Sequence, residues 1–136
     1  MPDEIPGDEI TLTLPAAPEF VRIARLTSAG LATRIGMGYD EVEDLRIAVG
    51  EACSLLIGDG SRPGALTLTF TLGPDTVAVD IAGGLAGPGR ATDPDTELSD
   101  QILDAVVDDH RVDLTGDRVW IAKRHGGPGP AGPGDG

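Results

Sequence analysis

The clearest periodic signal in the chain lies between residues 39 and 57, which read Tyr-Asp-Glu-Val-Glu-Asp-Leu-Arg-Ile-Ala-Val-Gly-Glu-Ala-Cys-Ser-Leu-Leu-Ile. Its apolar residues recur every three or four positions, as in an amphipathic helix with one buried face. These residues are Val42, Leu45, Val49, Ala52, Cys53 and Leu56. Asp40 can cap the first turn, and Gly58 follows the last apolar position. The pattern predicts a helix that ends near Ile57 and packs through one face.

The segments on either side of this helix carry strand and helix patterns in turn. Apolar side chains stand at every second position in three segments, residues 9–14, 65–72 and 76–81, which is typical of half-buried strands. Helical spacing covers Glu19 to Ile35 and returns after Thr96, a candidate N-cap. Residues 112–114 and 119–123 predict a closing hairpin.

The order of these elements defines the fold class. Residues 82–94 are rich in glycine and proline and are predicted to form a long loop before the last helix. Along the chain, two predicted helices lie between the first and second strands, and a third lies between this loop and the closing hairpin. This order predicts an α+β domain, a two-layer sandwich of a mostly antiparallel sheet with helices on one face. We expect a packed domain over residues 9–124, a flexible N-terminus over 1–8 and a disordered Gly/Pro-rich tail over 125–136.

Composition excludes several classes of function. The net charge of −13 opposes direct binding to nucleic acid, because phosphates would be repelled. No apolar run is long enough to span a bilayer, so we expect a cytoplasmic protein without a membrane partner. Cys53 is the single cysteine, and His110 and His125 lack companion ligands at metal spacing, so the residues predict no metal site.

Two stretches resemble RsbW / SpoIIAB-type anti-sigma factors, which have the GHKL (Bergerat-type) fold of histidine kinase-like ATPases. Residues 14–30 read Leu-Pro-Ala-Ala-Pro-Glu-Phe-Val-Arg-Ile-Ala-Arg-Leu-Thr-Ser-Ala-Gly and are similar to the family's first strand and helix. Residues 39–53 are similar to its N-box helix, including the Glu-Ala-Cys step. Residues 119–123 resemble its final strand. The resemblance thus implies a GHKL-like anti-sigma domain over residues 9–124.

The resemblance implies partners as well as a fold. Such a protein sequesters a sigma factor and is opposed by a STAS-domain antagonist, and in working kinases it phosphorylates a serine of that antagonist with ATP and Mg²⁺. Relatives commonly form homodimers near the first strand and helix. Glu19 and Arg25 stand where the family's first helix meets its partners, and are therefore candidate partner-binding residues.

The N-box carries the catalytic position of the family. Glu51 stands at the position of the general base, and Leu55 stands where the family's asparagine supplies an oxygen to Mg²⁺. One helical turn separates the two positions, so both side chains point into the same site. A leucine has no lone pair for a hard cation that binds oxygen ligands. Phosphoryl transfer is therefore expected to be weak or absent.

A second family motif, the Asp-x-Gly-x-Gly turn that reads adenine, is also altered. In one register Asp80 is the match and Gly84 is the surviving glycine; in the other, Ile81 takes the aspartate position and Gly83 survives. Asp80, Gly83 and Gly84 are the candidate cofactor-binding residues. Residues 97–100 read Glu-Leu-Ser-Asp and stand where the family has small residues that receive the phosphates of ATP. The acidic groups of Glu97 and Asp100 would repel those phosphates.

Three functions fit these observations. The leading hypothesis is an anti-sigma factor with weak or no kinase activity. In this hypothesis the binding of ATP and Mg²⁺ that the resemblance implies is weak or lost. An alternative is an active ATP-dependent serine kinase that phosphorylates the antagonist. A third is an interaction module for a partner other than a sigma factor. Whether the chain is an enzyme stays open at this point.

Overall fold

The computed structural model describes residues 7–89 and 94–126, and these form a helix-on-sheet domain. The elements are β1 (Asp8–Pro15), α1 (Val21–Arg34), α2 (Tyr39–Ile57), β2 (Gly64–Leu72), β3 (Thr76–Leu85), α3 (Pro94–Val106), β4 (Asp109–Asp113) and β5 (Arg118–Arg124). A short 3-10 turn, Pro18–Phe20, precedes α1. Within the described residues the strands form one sheet in the order β1-β2-β3-β5-β4, with every neighbouring pair antiparallel. The predicted α+β sandwich is confirmed.

The core lies between one face of the sheet and the three helices. Leu66, Leu68 and Phe70 of β2 alternate with threonines and are almost fully buried, as the period of a half-buried strand predicts. Leu45 and Leu56 of α2 meet this face from above and are equally buried. Since α2 contacts both α1 and α3, it is the central helix of the layer.

Two predicted helix caps are wrong. Gly36 (φ 94°) ends α1, and the chain then turns so that Gly38, with extended backbone, becomes the N-cap of α2. The N–H of Gly38 donates to Oε1 of Glu41 at 3.1 Å, while Asp40 lies inside the first turn. Thr96 is also inside its helix, because α3 begins at Pro94, a residue that suits a first helical position.

The predicted loop from residue 82 is wrong in its first four residues, because β3 continues to Leu85. Gly83 and Gly84 pair with Leu66 and Ala65 of β2. A glycine can hold a strand position when the neighbouring strand supplies the backbone hydrogen bonds. The strand therefore extends past the point at which its apolar alternation stops.

Glu41 also joins the beginning of α2 to the end of β5. Its Oε1 lies 2.7 Å from Nδ1 of His125, and its Oε2 accepts the N–H of Gly126 at 2.8 Å. Partial burial raises the pKa of Glu41, but the hydrogen bonds from Gly126, His125 and Gly38 outweigh it and leave the pKa below its usual value. Residues 1–6 and 127–136 of the predicted flexible N-terminus and tail lie outside the described residues.

Of the helices in residues 7–89 and 94–126, none combines the length and apolar character needed to cross a bilayer.

Candidate functional site

Glu51 lies on the central helix and faces α3. Its Oε2 accepts a hydrogen bond of 2.5 Å from the hydroxyl of Ser99, which is itself buried. The two helices are in contact along this side. One oxygen of the predicted general base is therefore engaged by a hydroxyl group of the same chain.

Leu55 lies one turn further along α2 and belongs to the hydrophobic core, with 4% of its surface exposed. Its side chain offers no oxygen, so the ligand set expected for Mg²⁺ is incomplete at this position. Leu55 therefore does not fit the magnesium-ligand position that the resemblance implies.

The two registers of the adenine motif place their residues on opposite faces of β3. Ile81 is fully buried on the face that the helices cover, and Gly83 follows it on that same face. Asp80 points to the other face, where its carboxylate accepts hydrogen bonds of 3.0 and 2.8 Å from Arg118. The hydrogen bonds and charge of Asp80 raise the pKa of the Arg118 guanidinium. Only the register with Ile81 and Gly83 therefore places its residues on the helix side.

Gly83 is partly buried near the end of β3. A Cβ built on Gly83 would lie 3.2 Å from Cβ of Asp117 and 3.2 Å from the side chain of Leu85. The N–H of Gly83 donates to the carbonyl of Asp117 at 2.8 Å. A side chain at position 83 would therefore need Asp117 or Leu85 to shift by a few tenths of an ångström.

Arg62 holds this end of the sheet together, and we call its set of contacts the Arg62 clamp. Its guanidinium donates two hydrogen bonds, of 2.8 and 2.7 Å, to the carboxylate of Asp117. It also donates to the carbonyls of Ala86 at 2.8 Å and Gly87 at 3.0 Å. Bidentate pairs of this kind fix geometry as well as charge. The hydrogen bonds from Arg62 hold the pKa of Asp117 below its usual value.

An open cleft of about 270 Å³ lies between α1 and α2. It is lined by Arg25, Glu43, Arg46, Ile47, Gly50, Glu51 and Ser54. The guanidinium of Arg25 lies directly over Gly50, where a Cβ would come within 2.5 Å of its Nε. The structure therefore brings Arg25 and Glu51 to one cleft. Glu19 lies outside it, in the 3-10 turn before α1.

Cys53 lies on the buried side of α2 and does not line this cleft. Burial raises the pKa of its thiol to about 12, although the charge of Arg25 acts in the opposite direction. A thiol with so high a pKa holds its proton at neutral pH and is a poor nucleophile. Cys53 is thus a core residue and takes no part in the chemistry of the cleft.

Comparison with protein families identifies the domain that carries this site. Residues 14–123 match the histidine kinase-like ATPase domain. The chain belongs to this family. The match begins at Leu14 in β1 and ends at Lys123 in β5, so it includes Glu51, Leu55 and the altered adenine motif.

Several curated relatives share part of this histidine kinase-like ATPase domain. The chain is 40% identical over 79 residues to the serine-protein kinase RsbW of Bacillus subtilis (strain 168), covering 56% of this chain and 49% of the relative. It is 38% identical over 77 residues to proteins of the same name from Bacillus cereus and Bacillus mycoides (strain KBAB4), covering 48% of each. The chain therefore spans about half the length of the curated relatives that it matches.

Proposed function

We propose that this chain is an anti-sigma factor that sequesters a sigma factor, is released by a STAS-domain antagonist, and has weak or no protein-kinase activity. The family and the similarity to serine-protein kinases named RsbW support the regulatory role. One observation carries the catalytic part of the proposal. Leu55 is buried in the core one turn after Glu51, at the position where the family's kinases bind Mg²⁺ through an oxygen.

A further contact supports weak catalysis. The Glu51 carboxylate is bound by the Ser99 hydroxyl, so one oxygen of the predicted general base is already engaged. A phosphoryl group without a bound metal loses the main stabiliser of its developing charge.

The surface of α1 is the proposed partner contact. This helix contains Arg22, Arg25 and Arg34 and no acidic residue, in a chain whose net charge is −13. Its Leu26 is 58% exposed and its Ile23 43% exposed. A cationic surface that also exposes apolar side chains suits an acidic, partly apolar segment of a partner. Arg25 and the neighbouring Glu19 remain the residues that we assign to this contact.

An active ATP-dependent serine kinase is the second candidate function. It is favoured by the similarity to relatives named serine-protein kinases and by Glu51, which stands at the position of the family's general base. A third candidate is an interaction module for a partner other than a sigma factor. Such a module would use the same α1 surface, without a sigma factor or a STAS-domain antagonist.

A tagged pull-down from the native host lysate, with and without Mg-ATP, distinguishes these functions. We expect mass spectrometry to identify a sigma factor in both samples, because the proposed contact needs no nucleotide. Recovery of the sigma factor only with Mg-ATP would favour the kinase, and recovery of other proteins without any sigma factor would favour the interaction module.

We also propose a homodimer formed through β1. This strand lies at one edge of the sheet, so one side of its backbone has no strand neighbour among residues 7–89 and 94–126. Relatives of this type commonly pair near the same strand and helix. Sedimentation equilibrium at micromolar concentration is expected to give twice the monomer mass, and a monomer alone would contradict the proposal.

A further inference from the structure

A second groove lies on the far side of α3, between this helix and the edge strand β4. Its volume is about 420 Å³, and its lining residues are Thr96, Glu97, Asp100, Gln101, Val112 and Leu114. Val112 and Leu114 pack against the core and give the groove an apolar floor. None of the candidate catalytic or partner-binding residues lines it.

Strand β4 is the other edge of the sheet. In the described part of the chain it pairs only with β5, so its outer backbone groups face away from the sheet. His110 and Val112 are half-buried on the side of α3, while Asp109, Arg111 and Asp113 alternate to the opposite face. An unpaired edge beside a groove is the arrangement that proteins use to bind an extended segment as an added strand.

The charges around this edge are mostly negative. Glu97 and Asp100 line the groove, and Asp104 of α3 adds to their charge. The basic side chains nearby have other contacts. Arg111 lies on the opposite face of the sheet, 4.7 Å from the centre of the Trp120 ring, and His110 Nε2 lies 2.8 Å from Oδ1 of Asp100. A bound segment that carries positive charge would therefore have a higher affinity for this groove than a neutral or acidic one.

We propose that the groove between α3 and β4 binds an extended, basic segment of a partner protein by strand addition. The backbone of the segment pairs with β4, one apolar side chain lies on Val112 and Leu114, and lysine or arginine side chains reach Glu97 and Asp100. The proposal is independent of the sigma-binding surface, which lies on α1 at the other side of α2.

Backbone NMR titration of the full chain with synthetic peptides tests this inference. The probe is a capped heptapeptide that alternates lysine and valine, and the two controls replace lysine with glutamate or methylate alternate backbone nitrogens. We expect the lysine peptide to shift the amide signals of residues 109–113 and of Glu97 and Gln101. The glutamate peptide should cause no shift, and the N-methylated peptide should bind at least tenfold more weakly, because it cannot pair as a strand.

Charge variants locate the site. Glu97→Lys combined with Asp100→Lys is expected to weaken the lysine peptide at least tenfold. Glu97→Gln leaves the contact between Asp100 and His110 in place. This single substitution should weaken binding of the lysine peptide about two- to fivefold. The matched control is Asp40→Lys combined with Asp75→Lys, which makes the same charge change at two exposed positions outside the groove and should alter the affinity less than twofold.

Three results would overturn the proposal. Equal weakening in the control variant would mean that the peptide responds only to net charge. Equal binding of the N-methylated peptide would exclude strand addition. A dimer of the chain that disappears in the Glu97→Lys, Asp100→Lys variant would assign the groove to a second copy of the chain.

Discussion

Leu55→Asn is expected to lower the free energy of unfolding by about 3 kcal/mol and to create no detectable binding of Mg-ATP. The Leu55 side chain is 4% exposed and packs in the core, so the substitution removes apolar contacts and buries an amide. Nucleotide is not expected to bind, because the asparagine restores only one ligand while the adenine motif stays altered in either register. Urea unfolding and calorimetric titration with Mg-ATP measure the two effects.

Leu55→Met is the matched control for this substitution. It conserves volume and apolar character, and it should cost less than about 1.5 kcal/mol. Saturable heat on adding Mg-ATP to the native chain would contradict our account of Leu55. The same heat in Leu55→Asn alone would show that this residue is the only obstacle to nucleotide.

Arg25→Glu is expected to weaken the complex with the sigma factor recovered from host lysate by at least tenfold. Reversing the charge replaces an attraction with a repulsion at the centre of the proposed contact, and each tenfold loss corresponds to about 1.4 kcal/mol. Biolayer interferometry with the purified partner measures the dissociation constant. The loss should diminish as salt rises, because exposed charges are screened.

Arg34→Glu is the control on the same helix, with the same change of charge at an exposed position in the last turn. It should change the affinity by less than threefold, since Arg34 lies more than two helical turns from Arg25. Equal losses in both variants would indicate that the partner senses the net charge of the helix. An unchanged affinity in Arg25→Glu would remove this residue from the contact.

Much of the fold could be predicted from the sequence, because alternation and helical spacing are strong in β2 and α2. The failures lie where local patterns end. Asp40 has a good capping side chain, yet Gly38 is the N-cap of α2, because the chain turns at Gly36 just before it. The strand β3 continues through Gly83, because β2 supplies backbone partners that no local pattern reveals.

The candidate site was predictable only in part. The sequence suggested Glu51, Leu55 and Arg25 as candidates, and the structure places Glu51 and Arg25 beside one cleft. It did not indicate that Ser99 binds Glu51, because the partners lie 48 positions apart on different helices. The Arg62 clamp was missed for the same reason, since Arg62 and Asp117 are 55 positions apart. An arginine and an aspartate in two separate turns give no signal of their pairing.

Calorimetric titration of the recovered sigma factor into the purified chain, without nucleotide and then with Mg-ATP, tests the central claim most directly. We expect the same dissociation constant within about twofold in both titrations, and no phosphate on a STAS-domain protein captured from the same lysate. A sigma complex that forms only with Mg-ATP, together with phosphorylation of the STAS-domain protein, would contradict the claim and identify an active kinase.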